Sequence, residues 1–567
     1  MSQKIIPFQH YGSQPISFGG KYRRDRNLRY DILPFIILIL FLGLVARLFQ
    51  LTIVKGTYYR YLAENNRIKE IPLEAPRGLI VDRKGFQIAY STKENDINRK
   101  RIYPLTDAAS HLIGFRSLAN PHDLQNDACA NKLALNDKIG KSGIEQIFEC
   151  DLRGKKGKRL VEVDAQGSVR KIISETHPTS GGKIQLSLDS DLQQKAYSVL
   201  TNETIINSGG IVVLKEKKAA IIVSKPNGEI LALVSFPSFN PQVYENNDQD
   251  AIAKYMTDPE KPLFNRALVG TYPPGSVFKL TLAAGALQEG KIDEKFMVED
   301  TGTITAGPIQ FGNWYFLKYG KTEGMVDIIK GLRRSNDIFF YRLGEKLGPV
   351  GIKYWAEKFG YGKKTESKLP DKPGLIPSDF WKKETLNERW YLGDTYNLSI
   401  GQGYLLTTPL QVNMATVAVV NHGKLCSPLL LKNQKSNCHS LGISEKNINL
   451  ILEGMKQACS DGGTGWPFFD FRVKAQGLLG GDRTDSPEVA ETATTSSQLQ
   501  NIQVGCKTGT AESHLSSGLP HAWFTAFAPY EKPEIVVTVM VEESGEGSNV
   551  AAPIAKEILK AYFERNE

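Results

Sequence analysis

Cysteine is sparse in this chain, and no two cysteines stand in a CxxC spacing. The six are Cys129, Cys150, Cys426, Cys438, Cys459 and Cys506, a scatter that argues against a zinc finger or ribbon. The eight histidines form no HExxH or similar ligand spacing, so no metal is implied. No long basic stripe interleaves with aromatics, and a net charge of +9 is modest for 567 residues. No nucleic-acid partner is expected on that ground. Long apolar runs are also scarce. One occurs near the N-terminus, and no second of its length follows, so a single membrane crossing is expected.

That run reads ILPFIILILFLGLVARLFQLTIV, from Ile32 to Val54. Its length is close to the ~20 residues that cross a bilayer. Its one charge, Arg47, sits near the outer third, where a long side chain can snorkel. Lys4, Lys21, Arg23, Arg24, Arg26 and Arg29 precede it, against a single acid, Asp25. The positive-inside rule puts the N-terminus in the cytoplasm and everything after Lys55 on the far side. A cleaved signal peptide is the rival reading. It needs a shorter apolar core and a small-x-small site, which GLVARLFQLTIVKGTYY does not offer. A retained anchor is expected. The setting permits disulfides, and Cys426 with Cys438 is the closest plausible pair, although the connectivity stays open.

The remainder divides by pattern. IPLEAPRGLIVDRKGFQIAY (71–90) reads as a hairpin around Arg83-Lys84-Gly85. VEVDAQGSVRKII reads as another. Between them KSGIEQIFECDLRG has helical spacing at Ile144, Ile147 and Phe148. The segment 55–180 is therefore expected to be an elongated, sheet-rich, non-catalytic module after a 1–30 tail and a 31–54 anchor. From 181 to 567 the pattern changes. AAIIVS and EILALVSFP flank Pro226-Asn227-Gly228, a strong hairpin signal. Helical segments dominate from about 276 to 460. IQVGCKTGTA, HAWFTAFAP and EIVVTVMVE then read as antiparallel strands before a closing amphipathic helix. The expected fold class is α+β, with one sheet completed by both ends of this segment. The polar stretch at 476–500 is expected to be a mobile loop.

Three short motifs carry the chemistry. In YPPGSVFK, two prolines and a glycine deliver Ser276 to the head of an apolar helix, with Lys279 three residues on. A serine there sits among unpaired N–H groups that can hold an oxyanion. A lysine whose own stripe is Leu282, Ala283 and Ala286 is desolvated, which lowers its pKa and fits it to take the serine proton. Alone, the motif more often marks a helix cap, and Ser168 to Lys171 repeats it by chance. Ser335-Asn336-Asp337, between two helical runs, can present a hydroxyl into a cleft; it too can be a cap. Lys507-Thr508-Gly509-Thr510 lies in a late strand. There the glycine is expected to clear space for an extended peptide, and the lysine and threonines to hold its carboxylate. In this order within one α+β segment, the three are the known signature set of penicillin-binding proteins and class A β-lactamases.

The chain resembles class B penicillin-binding proteins, and within them the elongation type. The likeness runs from the anchor nearly to the C-terminus. It includes GTYYRYLAENNRIKEIPLEAPRGLIVDRKG, GKSGIEQIFECDLRGKKG, GTYPPGSVFKLTLAAGALQEGKI, LSIGQGYLLTTPLQ and GEGSNVAAPIAKEIL. HAWFTAFAP, and Asp337 where division enzymes usually have Asn, favour the elongation type. The resemblance implies a peptidoglycan D,D-transpeptidase with Ser276 as nucleophile, Lys279 as base and Ser335 as proton relay. Asp337 would line the cleft. Lys507, Thr508 and Gly509 would align the stem peptide, and the N–H groups of Ser276 and Thr510 would form the oxyanion hole. It implies no cofactor, capture by β-lactam antibiotics, and a SEDS-type glycan polymerase as partner in the cytoplasmic membrane. The short STKENDINRK, where the family has a sizeable lobe, leaves scaffold contacts open. Cys506, where a small Gly is common, reads as a buried small hydrophobe. A non-turnover β-lactam sensor, a D,D-carboxypeptidase and a serine β-lactamase are the alternatives. A sensor tends to carry several membrane helices and a cytoplasmic effector, and a lactamase rarely has the long pedestal.

Overall fold

The computed structural model describes residues 28–565, except 96, 165, 203, 208–209, 214–216, 475–498 and 514–517. Nearly all of the polar stretch at 476–500 thus lies outside the described residues. Within the helix Leu28–Phe49 and the π-helical turn that extends it over Gln50–Val54, Leu33–Val54 is long and apolar enough to cross a membrane, with none of it buried.

The chain divides into two compact units. One runs up to Ile71 and takes in Lys158–Thr176; the other comprises Pro72–Gly157 and His177 onward. In the first, Lys158–Val163 of the strand Gly157–Val163 pairs antiparallel with the strand Val169–Thr176, as expected for VEVDAQGSVRKII.

In the second unit, Ile80–Val81 and Gln87–Lys93 form the expected hairpin, turning at Gly85, whose φ of +98° favours glycine. Ile80, Ile88, Ile144 and Leu152 join one continuous core with residues from α-helices hundreds of positions later. KSGIEQIFECDLRG forms two short helices, Gly143–Ile147 and Glu149–Leu152, rather than one. They place Glu145 between two guanidiniums: Arg77 Nε is 2.5 Å from Oε2 and Arg101 Nε is 2.8 Å from Oε1. Burial pushes the Glu145 carboxyl up, but Arg101 and Arg77 prevail and hold it at about 2.

The main sheet has five antiparallel strands: β1 (Ala219–Ser224), β2 (Ile230–Phe236), β3 (Gly505–Ala511), β4 (His521–Ala528) and β5 (Ile535–Val541). Their order is β2-β1-β5-β4-β3, so both ends of the segment complete one sheet, as expected. The β1–β2 turn uses Gly228 at φ +93°. These strands are buried on both faces, which explains their near-continuous apolar sequences. Helices α1 (Ser190–Thr201) and α7 (Ala551–Glu564) cover one face. On the other lie α2 (Lys279–Gln288), α3 (Ile328–Arg334), α4 (Asp337–Lys358), α5 (Pro409–Val420) and α6 (Glu445–Ala458).

The six cysteines pair as Cys129–Cys150, Cys426–Cys438 and Cys459–Cys506. Cys506 is indeed buried, but not as a lone hydrophobe: it ties β3 to the end of α6.

Candidate active site

Pro273, Pro274 and Gly275 bring the chain into a 3₁₀ turn, Gly275–Phe278, that runs straight into α2. Residues three apart eclipse in such a turn, so Ser276 and Lys279 share a face. The Lys279 N–H donates to the Ser276 carbonyl. Gly275 has φ +57°, and a Cβ there would meet the Thr510 carbonyl oxygen at 2.8 Å. The turn therefore lies backbone to backbone on β3, which any side chain at 275 would prevent. Ser276 is half-buried, and Lys279 is fully buried.

Ser335 ends α3 in the left-handed region, at φ 55° and ψ 36°. That conformation costs a non-glycine residue on the order of 1 kcal/mol and persists only where neighbours impose it. Here Asn336 N–H donates to the Gly331 carbonyl, and the Asn336 side chain caps α4 by accepting from Phe339 N–H at 2.9 Å. The break between two helices is the one expected from the sequence. It turns Ser335 and Asp337 toward Lys279.

Lys279 Nζ donates to Asp337 Oδ1 at 2.6 Å and to the Ser335 carbonyl at 2.8 Å, with Ser335 Oγ at 3.4 Å. From β3, Lys507 Nζ donates to Ser335 Oγ at 2.9 Å and to the Thr508 carbonyl. Two fully buried ammonium groups thus converge on one hydroxyl, with one carboxylate beside them. Burial lowers the Lys279 pKa, and Asp337 opposes that shift. Burial lowers Lys507 further, with repulsion from Lys279 adding to it and Asp337 opposing. A site with two buried cations and one anion favours loss of a proton.

Lys279, Ser335, Asp337 and Lys507 therefore gather in one place, and Ser276 shares the face of the turn from which Lys279 enters it. The other three expected residues do different work. Gly509 makes room for the turn that carries Ser276, because a Cβ there would meet Trp523, Val277 and the Pro274 carbonyl. Thr508 donates to Thr464 Oγ1 at 2.8 Å. The Thr510 carbonyl accepts from Gln402 Nε2 at 3.2 Å, and its hydroxyl from Gly547 N–H at 3.4 Å.

Sequence reasoning missed Thr464 and Gln402 as members of the site. Gln402 stands in LSIGQG, a segment singled out only for its likeness. Thr464 sits in the Gly-rich loop after α6, beside the disulfide. Cys506 and Thr508, two apart and so on one face of β3, both grip this loop. Gly465 leaves room for the sulfurs, since a Cβ there would lie 2.6 Å from Cys506 Sγ.

Several known proteins are similar to this chain. A relative from Salmonella typhimurium, described as peptidoglycan D,D-transpeptidase MrdA, is 28% identical over 632 aligned residues, covering 95% of this chain and 96% of the relative. The solved structure of Pseudomonas aeruginosa PBP2 in complex with WCK 5153 superposes with a TM-score of 0.69 at 29% identity, covering 87% of this chain and 96% of that one. The Helicobacter pylori PBP2 bound to MreC also has a TM-score of 0.69, at 26% identity, covering 87% and 98%. The Penicillin-binding Protein dimerisation domain matches residues 94–186. The Penicillin binding protein transpeptidase domain matches residues 218–560, the stretch that holds every residue of the cluster around Ser335. With that match spanning more than half of its length, the chain belongs to the penicillin-binding protein transpeptidase family.

Proposed function

We propose that this protein is an elongation-type peptidoglycan D,D-transpeptidase that works through a Ser276 acyl-enzyme. The observation that carries the reading is Ser335 Oγ, which joins the two buried lysines of the other motifs. Neutral Lys279 takes the Ser276 proton as Oγ attacks the carbonyl of the penultimate D-Ala. The N–H groups of Ser276 and Thr510 hold the oxyanion. The C–N bond to the terminal D-Ala breaks, and the proton passes through Ser335 to the leaving amine. The amine of a neighbouring stem peptide then attacks the ester; the ester C–O bond breaks and Ser276 regains its proton. Lys507, Thr508 and Gly509 form the strand that aligns the stem peptide. A β-lactam enters the first step through its ring amide and stays attached to Ser276.

Residues 1–30 serve as a cytoplasmic tail, 31–54 as the anchor, 55–180 as the pedestal and 181–567 as the transpeptidase domain. An outward-facing catalytic domain is supported by the basic residues before Ile32 and by three disulfides, which persist in oxidising compartments. Glycan polymerisation falls to a SEDS-type partner in the same membrane. The Helicobacter pylori complex supports a MreC-like protein as a second partner.

A fluorescent penicillin is expected to label the parent covalently and to leave Ser276→Ala unlabelled. Equal labelling of the two would refute Ser276 as nucleophile. Cross-linking of lipid-linked glycan in the presence of a polymerase separates the transpeptidase from a sensor, a carboxypeptidase and a lactamase.

A further inference from the structure

Behind the Ser335 turn lies a carboxylate that the mechanism does not use. Asp300, only 2% exposed, sits at the end of the short strand Val298–Asp300. Its Oδ1 accepts from Gly302 N–H at 2.9 Å. Its Oδ2 accepts three further hydrogen bonds at 2.9 Å, from Asn313 Nδ2, Asn336 Nδ2 and Glu323 N–H. All four of these donors are neutral. The two side-chain amides are themselves fully buried, and each passes the contact on. Asn313 Oδ1 accepts from Asp337 N–H at 3.1 Å, and Asn336 Oδ1 caps α4 at Phe339. The residue after Asn313, Trp314, donates its N–H to Asp337 Oδ2, which leaves Oδ1 for Lys279.

We propose that Asp300 is a positioning residue for acylation: through Asn313 and Asn336 it fixes the turn that sets Ser335 and Asp337 against Lys279. The argument is one of donors and acceptors. An amide at Asn336 that caps α4 through its oxygen must spend its NH₂ elsewhere, and burial makes an unpaired NH₂ costly. The same holds for Asn313, whose oxygen is committed to Asp337 N–H. Only an acceptor-only group can take both NH₂ groups and two backbone N–H groups at once, and an ionised carboxylate is that group. Ser335 needs such support because its backbone sits in the left-handed region.

The proposal rests on the reading of Ser276 as an acylated nucleophile, and its test separates the two. Full-length protein in detergent is acylated with fluorescent penicillin across a range of pH, and thermal unfolding is followed in parallel. Asp300→Asn turns an NH₂ toward other donors, and acylation should slow on the order of 10- to 100-fold. Its acidic limb should also move to lower pH. Burial lowers the Lys279 pKa and Asp337 raises it, with the Lys507 ammonium on the same Ser335 hydroxyl; a relaxed turn weakens the Asp337 contact. Exchanging the pair, as Asp300→Asn with Asn336→Asp, restores the 300–336 hydrogen bond with its polarity reversed but leaves Asn313 Nδ2 and Glu323 N–H facing an NH₂, so it should recover only part of the rate. If Asp300→Asn does not fold, Asn313→Ala cuts one arm alone and should shift the limb the same way. Parent-like rate and pH profile in whichever single variant folds would overturn the proposal. So would a slower rate with an unmoved limb that the exchange fails to restore. If the parent itself is not labelled, it is the functional reading that fails.

Discussion

Lys279 Nζ lies 2.6 Å from Asp337 Oδ1, in a site where the lysine has no exposure to solvent. The two effects on the lysine oppose each other: burial lowers its pKa and Asp337 raises it. In the proposed mechanism acylation needs the neutral amine, so the rate should fall as pH drops through that pKa. Asp337→Asn removes the opposing charge, and the acidic limb of the acylation profile should move to lower pH. A limb that stays in place, or moves up, would show that Asp337 does not set the charge of Lys279.

Among the described residues, buried Lys507 donates to a hydroxyl and a carbonyl alone. Its folded pKa lies well below the ordinary 10.5, so the unfolded chain binds the extra proton. Stability should then rise with pH from the folded pKa up to about 10.5, where the difference ends. Lys507→Met should remove its share of that rise, leaving the smaller part due to Lys279, and stabilise the fold at neutral pH by roughly 1–3 kcal/mol, while acylation falls ~10²-fold or more. Unfolding of both proteins at pH 7 and pH 10 checks the sign; a less stable variant at pH 7 contradicts it.

The Cys459–Cys506 bond spans 47 residues of sequence and Cys426–Cys438 spans 12. Loop entropy alone assigns the first roughly 4 kcal/mol and the second about 3 kcal/mol. Their effects on activity should differ more. Replacing Cys459 and Cys506 by serine frees the loop that carries Thr464 from β3, and acylation should slow severalfold. Replacing Cys426 and Cys438 should lower stability and leave the acylation rate of the folded fraction unchanged. Equal rates in the two variants would mean that the first bond does not hold the strand.

Glu145 is held at about 2 by Arg101 and Arg77 against the pull of burial. A depressed carboxyl contributes stability above its ordinary 4.5, and that contribution disappears as pH falls toward 2. Glu145→Gln should cost on the order of 3–5 kcal/mol at pH 7, because it strands buried guanidiniums. The loss should shrink below pH 4. A variant as stable as the parent at pH 7 would refute the assignment.

The motif residues were legible because each local context repeats the expectation: a proline-glycine stop before Ser276, a helix break at Ser335, a glycine inside the strand at 509. The hairpin at Asn227-Gly228 and the late strands were legible for the same reason, since turn chemistry and apolar runs are local. Asp300 and Asn313 were not, as nothing near them in sequence distinguishes a buried acceptor from an ordinary loop aspartate. Two of three disulfides escaped because a cysteine's partner is set by tertiary approach; only the short loop from Cys426 to Cys438 narrowed the choice. Gly509 was legible as a glycine inside a strand, but its packing was not. Its neighbour is the Pro274–Val277 turn, which only the packing of β3 reveals.

The strand order β2-β1-β5-β4-β3 also sets a clock. Ser276 and Lys279 are synthesised early, but the strand bearing Lys507 attaches to the sheet only through β4 and β5. A growing chain that has not reached Val541 can present a nucleophile turn and still lack the surface it rests on. Labelling of truncated chains by penicillin should therefore switch on abruptly once β5 is complete, rather than rise with length. On this strand order the surface under Ser276 is completed in one late step, when β5 joins β1.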